Sequence, residues 1–212
     1  MAHHPINHDP EPIRLFKSNF LEFFSHIHPA VIVIIWLPVA AFFLVREVLN
    51  RPTHSSMLYI PLAFIFGLFM WTLVEYLLHR FVFHFRPRTP WQERIIFLFH
   101  GVHHAQPQCK TRLVMPPVVS IPMAVIFYGL LTLIVGLALG QPHLVGPLTS
   151  GLLIGYITYD LTHYATHHFP MRGKLPKYLK RYHMLHHYKT PDQRFGVSSP
   201  LWDIVFKTKP TA

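Results

Sequence analysis

The chain has 212 residues, of which 51% are hydrophobic, 15% aromatic and only 13% charged. That balance excludes an ordinary water-soluble domain, in which about a quarter of the residues carry charge. The formal charge of +10 does not point to nucleic acid. The basic residues flank apolar blocks instead of forming an aromatic-interleaved patch, a pattern suited to anionic lipid headgroups. The single Cys109 excludes an intrachain disulfide and has no partner for a thiolate metal site.

Residues 1–29 are expected to form a cytosolic N-terminal segment with an interfacial helix, and His3, His4 and His8 fall in its solvated tail. Nothing near Met1 has the charged, apolar and small-residue succession of a cleavable signal peptide. Four apolar blocks follow, at about 30–48, 57–78, 118–139 and 144–161. Each approaches the roughly 20 residues that cross a bilayer core. The turn Asn50-Arg51-Pro52-Thr53-His54 separates the first pair, and Gly140-Gln141-Pro142-His143 the second. All of the 19 basic residues except Arg46 and Arg51 lie on one side of these blocks. The positive-inside rule then puts both termini and the central segment in the cytosol. The predicted fold is an all-α integral membrane protein: four transmembrane helices in two hairpins form a membrane domain over 30–212. A cytosolic helical cap is built from 79–117 and 162–212. The host membrane is a bacterial cytoplasmic membrane or the endoplasmic reticulum.

Histidine is the compositional outlier, with 18 copies against 9 Asp and Glu together. Ten of them form four groups in the cytosolic segments: His79 and His84; His100, His103 and His104; His163 and His167; His183, His186 and His187. Residues three and four apart share a helix face, so three of the groups fan over one arc each. His79 and His84 would diverge by about 140° on an ideal helix, so the helix is expected to end or distort between them. Imidazole is a neutral nitrogen donor suited to iron, zinc and copper. Ten such ligands divide into five for each of two adjacent metal ions. Any single histidine is more commonly a surface or capping residue, but four clusters on one membrane face point to a shared metal site. His26, His28, His54, His143 and His168 fall outside the spacing and are assigned no metal.

The four groups resemble the eight-to-ten-histidine pattern of the integral membrane fatty acid hydroxylase superfamily. The flanks are closer still to the fatty acid 2-hydroxylases acting on sphingolipid acyl chains. The stretches that carry the likeness are Pro12-Ile13-Arg14-Leu15-Phe16 with Leu21-Glu22-Phe23; Glu75-Tyr76-Leu77-Leu78-His79-Arg80-Phe81-Val82-Phe83-His84; and Arg112-Leu113-Val114-Met115-Pro116-Pro117. Tyr159-Asp160-Leu161-Thr162-His163-Tyr164 and Phe195-Gly196-Val197 with Leu201-Trp202-Asp203-Ile204-Val205-Phe206 complete them. After His104 the family usually shows a basic residue and then Pro-Met-Asp, whereas this chain reads Ala105-Gln106-Pro107-Gln108-Cys109.

The resemblance implies a monooxygenase with a diiron centre that uses dioxygen to place a hydroxyl on carbon 2 of a long acyl chain. Zinc is accepted by the same imidazoles in purified protein. Many relatives carry an N-terminal haem-binding cytochrome domain. Its absence here implies an external electron donor of cytochrome or ferredoxin type, for which the basic run Arg172 to Arg181 is a candidate dock; contact with anionic headgroups or the enforcing of topology is an equal reading of that run. Asp160 lies one turn before His163 and Glu75 one turn before His79, so each is expected to orient an imidazole N–H. Tyr164, Tyr182 and Tyr188 are further polar-tipped candidates. Two alternatives remain at this stage. One is a sterol, sphingoid-base or carotenoid hydroxylase or desaturase of the same superfamily. The other is a non-catalytic zinc-binding or transporting membrane protein, although transport would want ligands near mid-bilayer.

Overall fold

The computed structural model describes residues 6, 7, 9, 11–52 and 56–210. His3, His4, His8, Thr53 and His54 lie outside the described residues. Among the described residues the chain is helical, without strands. The helices are α1 (Asn19–Phe23), α2 (Pro29–Asn50), α3 (Tyr59–Leu77), α4 (Pro90–Ile96), α5 (Val102–Ala105), α6 (Pro117–Leu131), α7 (Pro142–His168), α8 (Lys174–Tyr188) and α9 (Leu201–Val205). Three π-helical turns adjoin them, at Leu78–Phe83, Phe97–Gly101 and Thr132–Ala138.

Among the described residues three helical stretches are long and apolar enough to cross a membrane: Pro29–Asn50, Tyr59–Phe83 and Pro117–Ala138. The second extends past the predicted end at 78, because the chain rewinds as a π turn at His79 instead of stopping. The helix α7 has 27 residues, but Thr149, Ser150, Thr158, Asp160 and its histidines make it less apolar than those three.

The chain divides into two compact units. One, the apolar unit, comprises Ala30–Trp71 and Met115–Thr158. Its outward residues are lipid-like: Ile34, Phe42, Leu62, Val125 and Leu137 are all more than half exposed. Such surface belongs in hydrocarbon, where the helix satisfies its own backbone groups. Inside the unit the packing is close because side chains are missing. A Cβ on Gly67 would strike the Leu148 carbonyl, one on Gly151 the Phe64 carbonyl, and one on Gly155 the Trp71 ring. The Gly151-x3-Gly155 pair therefore lets α7 meet α3 almost backbone to backbone, the small-residue contact typical of membrane helices. Trp36 and Trp71 fill the remaining space around Tyr156, with ring centroids 6.1 Å and 5.4 Å away. The Ser150 hydroxyl donates to the Ala40 carbonyl at 2.9 Å.

The histidine unit comprises the residues up to Pro29, Thr72–Val114 and the residues from Tyr159 onward. Here α1, capped by Ser18, exposes Phe20, Leu21 and Phe23, and Phe24 just after it is exposed too. The N-terminal segment is pinned to the stretch after α5. The Gln106 side chain is buried, accepts from Ile13 N at 2.9 Å and donates to the Glu11 carbonyl at 2.9 Å. Glu22 accepts from Arg112 at 2.6 Å and from the backbone N–H groups of Leu15 and Phe16. The departure at Gln106 thus has a structural role, holding the strap of chain that precedes α1.

Gly151→Leu should cost about 1–3 kcal/mol or more, because a rigid backbone carbonyl cannot give way to the added side chain. Gly129→Leu should be nearly neutral, since a Cβ there meets nothing within 4 Å. Thermal unfolding of the two variants in detergent checks the difference; equal midpoints would contradict backbone-to-backbone packing.

Candidate metal centre

Each histidine group reaches the centre by its own local device. α3 passes into the π turn Leu78–Phe83, closed by His84 N donating to the His79 carbonyl at 3.0 Å. The wider π winding returns a residue five positions on to the same face, so His79 and His84 point together where an α-helix would splay them. A second π turn, Phe97–Gly101, carries His100 into α5 with His103 and His104. His163 and His167 stand one turn apart at the end of α7. His183, His186 and His187 lie on the buried face of α8, with Leu179 and Tyr182.

These ten side chains sort into two sets. His79, His84, His100, His104 and His186 form one, and His103, His163, His167, His183 and His187 the other. In each set one ring nitrogen per residue lies within 4.8 Å of all the rest. The predicted arcs are therefore split: His103 leaves His100 and His104, and His186 leaves His183 and His187. His104 and His187 stack across the divide with centroids 4.1 Å apart, so the sets are neighbours. All ten are buried except His104, which is partly so. His26 instead bonds Glu22 and Thr111, and His168 packs against Tyr164. Tyr182 is buried beside Tyr178, and Tyr188 is about half exposed.

The contacts within each set are between Nε2 atoms: His79–His100 at 3.1 Å, His84–His186 at 3.1 Å and His100–His104 at 3.0 Å. In the other set His103 lies 2.9 Å from both His163 and His187, His167–His183 is 2.9 Å and His183–His187 is 3.0 Å. His79 Nδ1 donates to the Phe195 carbonyl at 2.5 Å and His186 Nδ1 to the Gln193 carbonyl at 2.6 Å. A neutral imidazole carries one proton, so both Nε2 atoms present bare lone pairs to their neighbours. Burial, followed by the proximity of other histidines, pushes His100, His103, His104, His183, His186 and His187 well below the usual imidazole range. These rings are therefore neutral at neutral pH, the form that ligates a metal ion. Two nitrogens bound at about 2.1 Å and at right angles lie about 3.0 Å apart, the spacing seen here. The donor set thus fits two metal ions.

The loop that supplies the two carbonyls is held from both sides. Asp203, fully buried, accepts from Phe195 N at 2.9 Å, Gly196 N at 2.8 Å and the Thr208 hydroxyl at 2.7 Å. Glu75 accepts from Val197 N at 2.6 Å, Ser198 N at 2.8 Å and the Ser198 hydroxyl. Glu75 therefore grips the loop whose Phe195 carbonyl orients His79, rather than the His79 ring expected from sequence. Asp160 is buried as well. Asp203 was not anticipated as a site residue. Its signal was an acid within the otherwise apolar Leu201-Trp202-Asp203-Ile204-Val205-Phe206.

A family model described as fatty acid hydroxylase matches residues 64–208, a span that contains all ten histidines. The chain belongs to the fatty acid hydroxylase family. It is 37% identical over 210 residues to the dihydroceramide fatty acyl 2-hydroxylase FAH1 of Arabidopsis thaliana, covering 99% of this chain and 85% of that one. Against the fatty acid 2-hydroxylase of Homo sapiens the identity is 34%, over 98% of this chain and 58% of the relative. Among solved structures, full-length scs7p, with only its hydroxylase domain visible, superposes with a TM-score of 0.83. That match has 36% identity and covers 92% of this chain and 72% of that one.

In this hydroxylase-family chain, Asp203→Asn should weaken metal binding about 10–100-fold, the usual effect of removing a group that orients a ligand. Glu75→Gln should act in the same direction. Metal content by elemental analysis and affinity by chelator competition check this, with membrane insertion monitored in parallel. Unchanged affinity in both variants would show that the loop does not set the imidazoles.

Proposed function

We propose that the chain is a membrane-bound dimetal oxygenase that hydroxylates carbon 2 of a long-chain fatty acyl group, free or in a ceramide, using dioxygen and external electrons. The observation that carries this reading is the pair of adjacent five-histidine sets in a chain whose relatives are named fatty acyl 2-hydroxylases. The ligands in this reading are the ten histidines of the two sets. Two iron ions bound there would supply the oxidising power that no side chain has, whereas zinc, which the same imidazoles accept, has no redox chemistry and would leave the site inactive. His79 and His186 hold their Nδ1 protons on backbone carbonyls and so keep Nε2 free as a donor atom. Glu75 and Asp203 fix the loop bearing those carbonyls, and the Phe195 ring, 5.4 Å from His84 and 5.7 Å from His79, shields the imidazoles from water.

In the same reading α7 is a fourth span, and both termini and the histidines face the cytosol, as the one-sided basic residues favour. His79 and His84 then sit at the cytosolic end of the Tyr59 span. That is headgroup depth, where carbon 2 of an acyl chain lies beside its carbonyl. The electron donor docks on α8. One face of this helix presents His183, His186 and His187 inward, while Lys174, Lys177 and Arg181 are exposed and suit an acidic partner.

Purified protein should bind two metal ions per chain. Cells expressing it should contain acyl chains that have gained one oxygen, mapped by fragmentation to carbon 2. His183→Ala should abolish that product while leaving the protein in the membrane, because insertion rests on the apolar spans. A hydroxyl on the chain middle, the sphingoid base or a sterol would overturn the substrate assignment. One metal or fewer after reconstitution would overturn the dimetal reading.

Lys177→Glu combined with Arg181→Glu should slow turnover driven by a protein donor and spare turnover driven by a small chemical reductant. Equal loss with both reductants would refute docking on α8.

A further inference from the structure

We infer that the acyl donor presents an anionic oxygen group, and that a basic cavity beside His84 binds it; this rests on the proposed acyl hydroxylation. The cavity measures about 680 Å³ and lies wholly within the histidine unit, in the size range of small-molecule sites. Three guanidinium groups, from Arg80, Arg86 and Arg88, line it together with one carboxylate, Asp192, and the candidate metal ligand His84 forms part of the wall.

Among the described residues no ion pair engages any of the three arginines. Arg80 is held in place by donating to the Tyr76 hydroxyl at 2.7 Å, with its guanidinium carbon 4.9 Å from the Phe81 ring centre and 6.0 Å from that of Phe195. A guanidinium has five N–H donors in a fixed fork, so a fixed Arg80 keeps donors for a carboxylate or phosphate at no ordering cost. Arg86 and Arg88 flank Pro87, whose ring stiffens the backbone between them, and Arg88 N is tied to the Gln92 side chain at 2.7 Å. Both arginine side chains are exposed.

Apart from Gln92 the remaining wall is aromatic: Phe81 and Phe85 are exposed, and Phe195 is buried. Convergent guanidinium groups on an apolar wall suit an amphiphile with an anionic head and an alkyl tail. A neutral ceramide head would leave the three guanidinium groups facing the Asp192 carboxylate alone. In a free fatty acid the carboxylate is carbon 1, so its capture next to His84 would bring carbon 2 toward the histidine sets. A phosphate on a lipid headgroup offers the same oxyanion chemistry from a longer reach.

The test is equilibrium binding to the purified full chain of palmitate, of its neutral methyl ester and of lysophosphatidate. Palmitate should bind at least about tenfold more tightly than the methyl ester, the effect of a charge-assisted hydrogen bond. The exposed double variant Arg86→Gln, Arg88→Gln, which removes no buried group, should lose most of that preference. If lysophosphatidate shows the charge dependence and palmitate does not, the anion is a headgroup phosphate. Equal binding of palmitate and its ester without lysophosphatidate selectivity would overturn the inference, as would a preference that survives in the double variant. Acyl products from cells expressing the same variant are mapped in parallel. Hydroxylation at carbon 2 of neutral ceramide with no anion preference in binding would refute the anion site and leave the oxygenase reading intact. Absence of any hydroxylated acyl product from wild-type cells would refute that reading whatever the binding result.

Discussion

Ten imidazoles with ring nitrogens turned toward one another, out of water, set the terms for the rest of the histidine unit. Nε2 atoms 2.9–3.1 Å apart repel when both are bare and gain nothing from burial by themselves. Burial also opposes protonation, the usual way for histidine to recover solvation energy. A cation held by each set would convert the repulsion into coordination, and metal binding would then contribute to the folding of this unit. With no carboxylate in either set, the charge of two bound metal ions would have to be met from outside the ten imidazoles.

Holding donors at that spacing requires local departures from ordinary helix. Two of the three π turns fall on histidines, at Leu78–Phe83 and Phe97–Gly101. The extra residue per turn weakens the local hydrogen-bond ladder and is found mostly where function repays it. The C-terminal chain supplies the compensating order. Asp203 and Glu75 together accept six hydrogen bonds, five from the Phe195–Ser198 loop and one from Thr208. That satisfies two buried carboxylates and a buried loop at once. An isolated buried acid would be costly; here the acids act as acceptors for backbone groups that would otherwise be orphaned.

The apolar unit follows a different rule. Between lipid-facing helices apolar burial offers little driving force, and close van der Waals contact takes its place. Gly67, Gly151 and Gly155 provide it by removing the side chains that would keep α3 and α7 apart. Prolines 38, 122 and 147 sit inside helices, a placement a soluble helix tolerates poorly and a membrane helix accepts.

The sequence by itself determined the helical class, the apolar blocks and the ten histidines in four groups. Those properties reside in composition and in spacing along the chain. It also carries the Gly151-x3-Gly155 spacing and the break between His79 and His84, since residues five apart do not share an α-helical face. Tertiary structure alone decided how the histidines are shared. Neighbours such as His103 and His104, or His186 and His187, part company because adjacent helical residues point about 100° apart, and only the packing of four segments shows which set each side chain meets. The reach of Glu75 to a loop more than a hundred residues away, and the role of Asp203, were likewise beyond sequence spacing. A carboxylate's partner is fixed by where the chain returns, and no local periodicity encodes that return.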